Sequence, residues 1–399
     1  MSAKKRPAVG LDLGTSRTRV VICEVDGDYV RYAGHGEAAP CSAWTRGRLT
    51  DQAALAASIR AAMQEAEARS GISPEAAVIG LGCGAKGVNN HGVYEVGRRR
   101  QIGIEDLRYA VALASRVRLE DDRLVLQVCP QDFTLDGRSG FRNPQSISCS
   151  RLEANVHVVT ASIQEHQALI AAVHQAHLSV EESVFEGIAS AYASVVTEER
   201  ARGVAVVDIG AESTHVAIYA GELLALAMTV PIGGEHFTRD LARVLRINYE
   251  DAEHLKHEYG SANPERIGLN TLIDLPTLEG QSPRETRRLE LIEILEARAE
   301  QLMGLVFDEI VKLRMESELF EGIVLTGGGS MLTDLLDVAY RVTELQVRKG
   351  LAKGIDGWPA ELDTPVWATA AGLAMYSGRL KTRKEFKKVA PALANLVVH

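Results

Sequence analysis

The sequence predicts an α/β protein made of two similar halves, and three observations carry that reading. The chain has 399 residues, too many for one ordinary core. Strand-like and helix-like segments alternate along it. A segment near the start is also repeated near the middle. Aligning Asp12 with Asp208 pairs Asp12-Leu-Gly14-Thr15-Ser16-Arg17-Thr18-Arg-Val20-Val-Ile22 with Asp208-Ile-Gly210-Ala211-Glu212-Ser213-Thr214-His-Val216-Ala-Ile218. Asp, Gly, Thr, Val and Ile coincide without a gap, the signature of an internal duplication.

Each element has its own sequence reason. The β-rich run after Thr18 ends at Asp26-Gly27, a strong hairpin turn, and resumes at Tyr29-Val30. Ile104, Leu107, Val111, Ala114 and Val117 recur at helical spacing. Leu124–Cys129 reads as a strand stopped by Pro130, and Val156–Thr160 as another strand. Ser162-x-x-Glu165 predicts a capping box opening a helix that carries Leu169, Ile170 and Val173. In the second copy the chain turns at Ala220-Gly221-Glu222 and resumes at Leu223-Leu224. Ser261–Pro283, with several Pro and Gly, reads as a long surface loop, and Arg287–Met315 as one helix or two. Ile323-Val324-Leu325 reads as a buried strand running into Thr326-Gly327-Gly328-Gly329-Ser330, with an apolar helical run from Met331.

Composition excludes several classes. Hydrophobic residues make up 46% and charged residues 24%, as in a soluble globular protein. No apolar run approaches the roughly 20 residues that span a bilayer. The basic start, Met1 to Pro7, is followed by Asp12, which interrupts any signal-peptide core, so secretion is not expected. Cys23, Cys41, Cys83, Cys129 and Cys149 are scattered, as for reduced cytoplasmic thiols. A net charge of −9 argues against nucleic acid as a partner. Gly82-Cys83-Gly84-Ala85-Lys86-Gly87 is a literal G-x-G-x-x-G, but Val88-Asn89-Asn90-His91-Gly92 is a poor helix start, so the dinucleotide reading fails. His254 and His257 lack a matching Cys/His cluster and are expected at the surface.

The two Asp-x-Gly turns carry chemistry. Gly14 and Gly210 permit positive φ and leave no side chain, so backbone N–H groups can approach an anion closely, with Thr15, Ser16 and Thr18 hydroxyls beside them. Asp12 and Asp208 would repel a bare phosphate, which implies a divalent cation such as Mg²⁺ between carboxylate and phosphate. Two facing copies would clamp a di- or triphosphate. The Gly327-Gly328-Gly329 turn, if it feeds a helix N-terminus, suits a nucleotide for the same reason.

In this order the three elements resemble the phosphate-1, phosphate-2 and adenosine motifs of the actin, sugar kinase and DnaK-type ATPase superfamily. Within it the chain is most similar to the FtsA family of bacterial cell division. The similarity runs through Val125–Pro144, Arg151–Thr160, Val184-Phe-Glu-Gly-Ile-Ala-Ser-Ala-Tyr192 and Pro231-Ile-Gly-Gly234. It implies an actin-like (ribonuclease H-like) fold around a nucleotide cleft, with an FtsA-type inserted 1C subdomain. The implied divisions are 1A at 1–84, 161–202 and 356–380; 1C at 85–160; 2A at 203–230 and 318–355; 2B at 231–317; and a tail at 381–399. The resemblance further implies ATP and Mg as ligands, held by Asp12, Gly14, Thr15, Ser16 and Arg17, then Asp208, Gly210, Ala211, Ser213 and Thr214. Gly234, Gly327, Gly328 and Gly329 complete the set. Glu253 and Lys256 would reach ribose and base, although an i,i+3 pair can equally be a surface ion pair. Asp208 would position Mg²⁺ or water, with at most slow ATPase activity. The family's second loop usually reads Asp-x-Gly-Gly-Gly-Thr, so Ala211 and Glu212 are departures. They are expected to weaken affinity, slow hydrolysis or raise the demand for Mg²⁺.

Between Gly378 and Lys388 there are six Lys/Arg and one Glu. Phe386, Val389, Leu393 and Leu396 fall near one helical face, with Lys384, Lys387 and Lys388 beside them, as in a short segment that lies on an anionic membrane. Pro391 interrupts that helix and no Trp anchors it. The family resemblance implies a membrane-targeting tail, FtsZ and other division proteins as partners, and self-association into filaments or dimers. It also implies a position on the cytoplasmic face of the membrane at the division site. A PilM-like pilus scaffold and a small-molecule kinase share the core and stand as alternatives; no catalytic base for a kinase can be assigned from the sequence.

Overall fold

The structure, a computed structural model, describes residues 6–27, 29–39, 42–266, 271–275 and 284–389, with side chains described as far as Thr382. The first half begins with β1 (Arg6–Leu13), β2 (Thr18–Asp26) and β3 (Tyr29–Ala38). A small hairpin, β4 (Trp44–Thr45) and β5 (Arg48–Leu49), then precedes α1 (Gln52–Ser70) and β6 (Ala76–Leu81). The chain next leaves this sheet to build β7 (Lys86–Gln101), α2 (Ile104–Ala114), β8 (Arg123–Leu135), β9 (Arg138–Phe141) and β10 (Ser148–Ser162). It returns through α3 (Ile163–Gln175), β11 (Ser179–Phe185), α4 (Glu186–Ser194) and α5 (Thr197–Arg202).

The second half contains β12 (Val204–Ile209), β13 (Thr214–Ala220), β14 (Leu223–Val230), α6 (Gly234–Leu245) and α7 (Tyr249–Tyr259). A hairpin of β15 (Leu272–Leu275) and β16 (Arg284–Arg287) leads into α8 (Arg288–Lys312). Then come β17 (Ile323–Thr326), α9 (Leu335–Thr343), β18 (Val347–Lys349) and α10 (Ala368–Val389).

The duplication extends to topology. One five-stranded sheet runs β3-β2-β1-β6-β11 and the other β14-β13-β12-β17-β18. In each, a three-strand antiparallel meander is followed by two parallel strands. The strand β12, Val-Ala-Val-Val-Asp-Ile, is buried at every position, as expected for a strand flanked on both edges and covered on both faces. Separate apolar clusters fill the two halves, built around Leu11, Ile22, Leu55 and Ile79 in one and Ile209, Phe237, Leu291 and Leu302 in the other.

The inserted sheet, in order β7-β10-β8-β9, has a core of its own that includes Ile102, Leu107, Phe133, Leu152 and Val156. It also meets the outer strand of the second half. His157 Nε2 accepts the Ala227 N–H at 2.9 Å, and Gln131 Nε2 donates to the Leu224 carbonyl at 3.0 Å.

Several expectations change. The strand at Leu124 is not stopped by Pro130: β8 continues to Leu135, and the pairing register shifts between Ala154 and Val156, opposite that proline. A bulge tolerates the missing N–H. The stretch from Ser261 is not a plain loop, because Leu272–Leu275 pairs with Arg284–Arg287. The helical run expected from Met331 is a single 3₁₀ turn, Gly328–Met331, and the α-helix starts only at Leu335. Ser162 caps α3 as expected, its hydroxyl accepting the Glu165 N–H. Arg287–Met315 resolves into one helix, α8. The tail residues Leu393 and Leu396 lie outside the described residues; Lys384, Phe386, Lys387, Lys388 and Val389 belong to α10 by backbone, their side chains outside the description.

Candidate functional site

Both Asp-x-Gly turns stand at the ends of equivalent strands. Asp12 lies opposite Arg19 in the β1–β2 pair, and Asp208 lies opposite His215 in the β12–β13 pair. Each carboxylate thus faces a basic residue at the same repeat position. Asp12 is 7% exposed and Asp208 4%. Burial, then the charges of Glu186 and Asp208, push the Asp12 carboxyl up to about 8, against the pull of Arg19 and His215. Burial also raises Asp208, opposed by His215 and by the Thr369 hydroxyl, which donates to its Oδ2 at 2.6 Å. Because Thr369 belongs to α10, that bond ties the final helix to the second half's aspartate.

Gly327 shows why the glycine-rich turn needs glycine. Its φ is +77°, and a Cβ there would sit 2.3 Å from Asp208 Oδ1. The turn therefore lies directly on the aspartate. Around it the other predicted pieces converge. A Cβ on Gly234 would lie 3.7 Å from the Gly210 carbonyl and 3.9 Å from Gly329 Cα. The Gly234 N–H donates to the Gly210 carbonyl at 2.9 Å, and the Glu235 N–H to the Ala211 carbonyl at 2.8 Å. Lys256 Nζ donates to the Gly234 carbonyl at 3.2 Å and pairs with Glu253 at 2.6 Å. This pair is anchored on the first turn of α6, not loose on the surface.

Some predicted residues behave differently. Neither Gly14 nor Gly210 has a left-handed φ. Their requirement is space: a Cβ would meet the Arg17 carbonyl at 2.8 Å in the first loop and the Ser213 carbonyl at 3.0 Å in the second. The hydroxyls of Thr18 and Thr214 are buried and engaged inside, one accepting from Ser58 and the other donating to the Ile232 carbonyl. Thr15 is half-buried and Ser16 exposed. The Arg17 guanidinium pairs with Glu37 at 3.5 Å. Gly328 is exposed beside the turn, and Ser213 Oγ sits 3.3 Å from His215 Nε2. Glu212 does not stand unpaired in the loop; its carboxylate is ion-paired with Arg239 of α6. His254 and His257 are exposed and pair with Glu258 and Glu253.

Two residues that sequence reasoning missed complete the floor. His215 Nε2 lies 2.9 Å from Glu186 Oε2, and its Nδ1 3.2 Å from the Thr229 hydroxyl. Burial alone would lower His215, but Glu186, then Asp208 and Asp12, hold it above the ordinary imidazole value. His215 is thus a buried base set among three acidic side chains, Glu186, Asp208 and Asp12. Gly82 passes directly over the pair, since a Cβ there would be 2.3 Å from His215 Cε1. The rejected G-x-G-x-x-G thus serves as the roof of this cluster and leads into strand β7. Among the described residues no group of three or more His, Cys, Asp or Glu is arranged to hold a metal ion. A divalent cation here would rest on the two aspartates, water and phosphate.

Comparison with known proteins bears on the family and the fold. The family model described as cell division protein FtsA matches residues 205–372, and that of the SHS2 domain inserted in FtsA matches 82–160. Cell division protein FtsA of Pseudomonas aeruginosa is 32% identical over 370 residues, covering 92% of this chain and 88% of that protein. The Borreliella burgdorferi protein of the same name is 31% identical, covering 96% and 93%. Among solved structures, the PilM–PilN type IV pilus biogenesis complex superposes with a TM-score of 0.67 at 19% identity, covering 93% of this chain and 98% of that one. MreB5 of Spiroplasma citri bound to ADP does so with a TM-score of 0.57 at 14% identity, covering 95% and 98%. These two likenesses establish the actin-like fold. With its duplicated halves, its inserted sheet and relatives above 30% identity along nearly its whole length, the chain belongs to the FtsA family of cell division proteins.

Proposed function

We propose that this chain binds ATP with Mg²⁺ in the cleft between its halves and acts as a filament-forming membrane adaptor of division. In this reading it tethers the tubulin-like FtsZ to the cytoplasmic face of the membrane and recruits other division proteins. The observation that carries it is the convergence of both aspartates, the Gly210 loop, the Gly327 turn and the Glu253–Lys256 pair at one place. The donor set suits a magnesium nucleotide: Asp12 and Asp208 are both raised by burial and crowded by Glu186, and a divalent cation would favour their charged forms. When bound, the cation would screen the phosphates from Asp12 and Asp208.

The chain's own groups have distinct tasks in this reading. Backbone N–H groups of the first and second loops, with Thr15, Ser16 and Ser213, bind phosphate. Glu253 and Lys256 reach the ribose and base, and Gly327–Gly329 leave room for the adenosine. Glu186, oriented by His215, holds a water for slow hydrolysis. In this reading, with 1C at 85–160 and 2B at 231–317, self-association falls to the inserted subdomain and FtsZ binding to the second half, as the family resemblance implies. The basic tail, 381–399, lies on anionic lipid.

The test is co-flotation. The protein, the FtsZ of its own organism, ATP·Mg²⁺ and anionic liposomes are mixed and floated. FtsZ is expected in the lipid fraction only when this protein is present and its residues 381–399 are intact. If this protein floats but FtsZ stays in solution, a pilus-type scaffold becomes the better account. If neither floats, the adaptor reading fails.

A further inference from the structure

Glu212 is the least expected residue of the second loop, because it puts a carboxylate where the family pattern has glycine. Its surroundings explain how the loop accommodates it. The side chain is 11% exposed and its carboxylate is ion-paired with Arg239, whose Nη2 also lies 3.0 Å from Glu235 Oε2. Its stem is covered from the other side of the cleft. The β4–β5 hairpin turns through Arg46 and Gly47, at φ +49° and +75°, the two positive values of a tight two-residue turn. Gly47 at its tip is buried, and a Cβ there would stand 3.2 Å from Glu212 Cβ.

Behind the loop, the Gly210 and Ala211 carbonyls are held by the first N–H groups of α6. Glu212 is therefore held from three directions, with little of its side chain exposed. One guanidinium serves two carboxylates, and Glu235 is raised by burial and then by the charge of Glu212. Withdrawing Arg239 would leave both acids uncompensated beside the phosphate-binding backbone.

We propose that Arg239 is a positioning residue for nucleotide phosphate, keeping the second loop receptive to an anion by neutralising Glu212. It acts through Glu212 and touches no ligand itself. The inference rests on the nucleotide-site reading above and adds to it the residue that offsets the Ala211-Glu212 departure.

The experiment is a binding series with a fluorescent ATP analogue and Mg²⁺, on wild type, Arg239→Met, Arg239→Lys, Glu212→Ala and the double variant Arg239→Met/Glu212→Ala. Arg239→Met is expected to weaken binding at least ~10-fold, and Arg239→Lys to retain most of it. The double variant is expected to bind within ~3-fold of wild type, because the loop's own carboxylate is gone and the remaining Glu235 no longer has the Glu212 charge beside it. Melting temperatures of all five proteins are read in parallel. Rescue by Glu212→Ala without recovery of the melting temperature separates charge relief from folding. The proposal is overturned if Arg239→Met binds like wild type, or if the double variant stays as weak as Arg239→Met. Wild type that binds no nucleotide overturns the underlying site reading, and the inference with it.

Discussion

Glu186 begins α4 directly after β11, and its carboxylate meets His215. A carboxylate so oriented, beside two buried aspartates, is suited to holding a nucleophilic water in place. Glu186→Gln is therefore expected to keep nucleotide affinity within ~3-fold and to lower single-turnover phosphate release ~100-fold. Equal release by wild type and variant would remove Glu186 from that role. The aspartates were legible in the sequence because an Asp-x-Gly turn is a local pattern, and its duplication removed the chance reading. His215 was missed, although it aligns with Arg19 in the repeat, because its meaning depends on Glu186, which only the folded chain brings near. Of the two properties the glycines offered, freedom of φ and absence of a side chain, the fold uses the second, as the crowding at Gly14 shows.

At the scale of elements, the strands of the two meanders were readable from β-branched runs broken by Asp26-Gly27 and Ala220-Gly221-Glu222. What was not readable depended on pairing. The register shift opposite Pro130 and the hairpin partner of Leu272–Leu275 are properties of two segments together. The same holds for the contact between β10 and β14. His157 is buried there, its Nδ1 2.6 Å from Asn89 Oδ1 and its Nε2 accepting from Ala227, so the ring is neutral with its proton on Nδ1. Burial lowers it to about 4. A histidine depressed in the fold binds a proton more readily when unfolded, so stability is full above the ordinary value near 6.5 and falls as pH drops toward 4. The loss amounts to ~3 kcal/mol at most. His157→Gln should flatten this part of the melting-temperature profile between pH 7 and pH 4. An unchanged slope would assign the acid sensitivity to other groups.

The whole molecule was legible as two related halves, and the equal strand orders of the two sheets carry the duplication further than the residues did. The tie from the final helix to the second half was not, since Thr369 and Asp208 are far apart in the chain and nothing local marks their bond. The inserted sheet was recognised through its resemblance, yet its junction with the second half has a result beyond attachment. The strand β14 is the last in its sheet. Such a border ordinarily offers unpaired N–H and C=O groups to any other chain and invites uncontrolled aggregation. Here side chains of the insert occupy it at Ala227 and Leu224. A protein lacking 85–160 is expected to scatter light and elute in the void volume, whereas a monodisperse deletion product would show the border is guarded in another way. The insert is thus a stopper for the sheet, apart from the assembly role proposed above, and any division defect from its removal would report lost solubility before a lost partner.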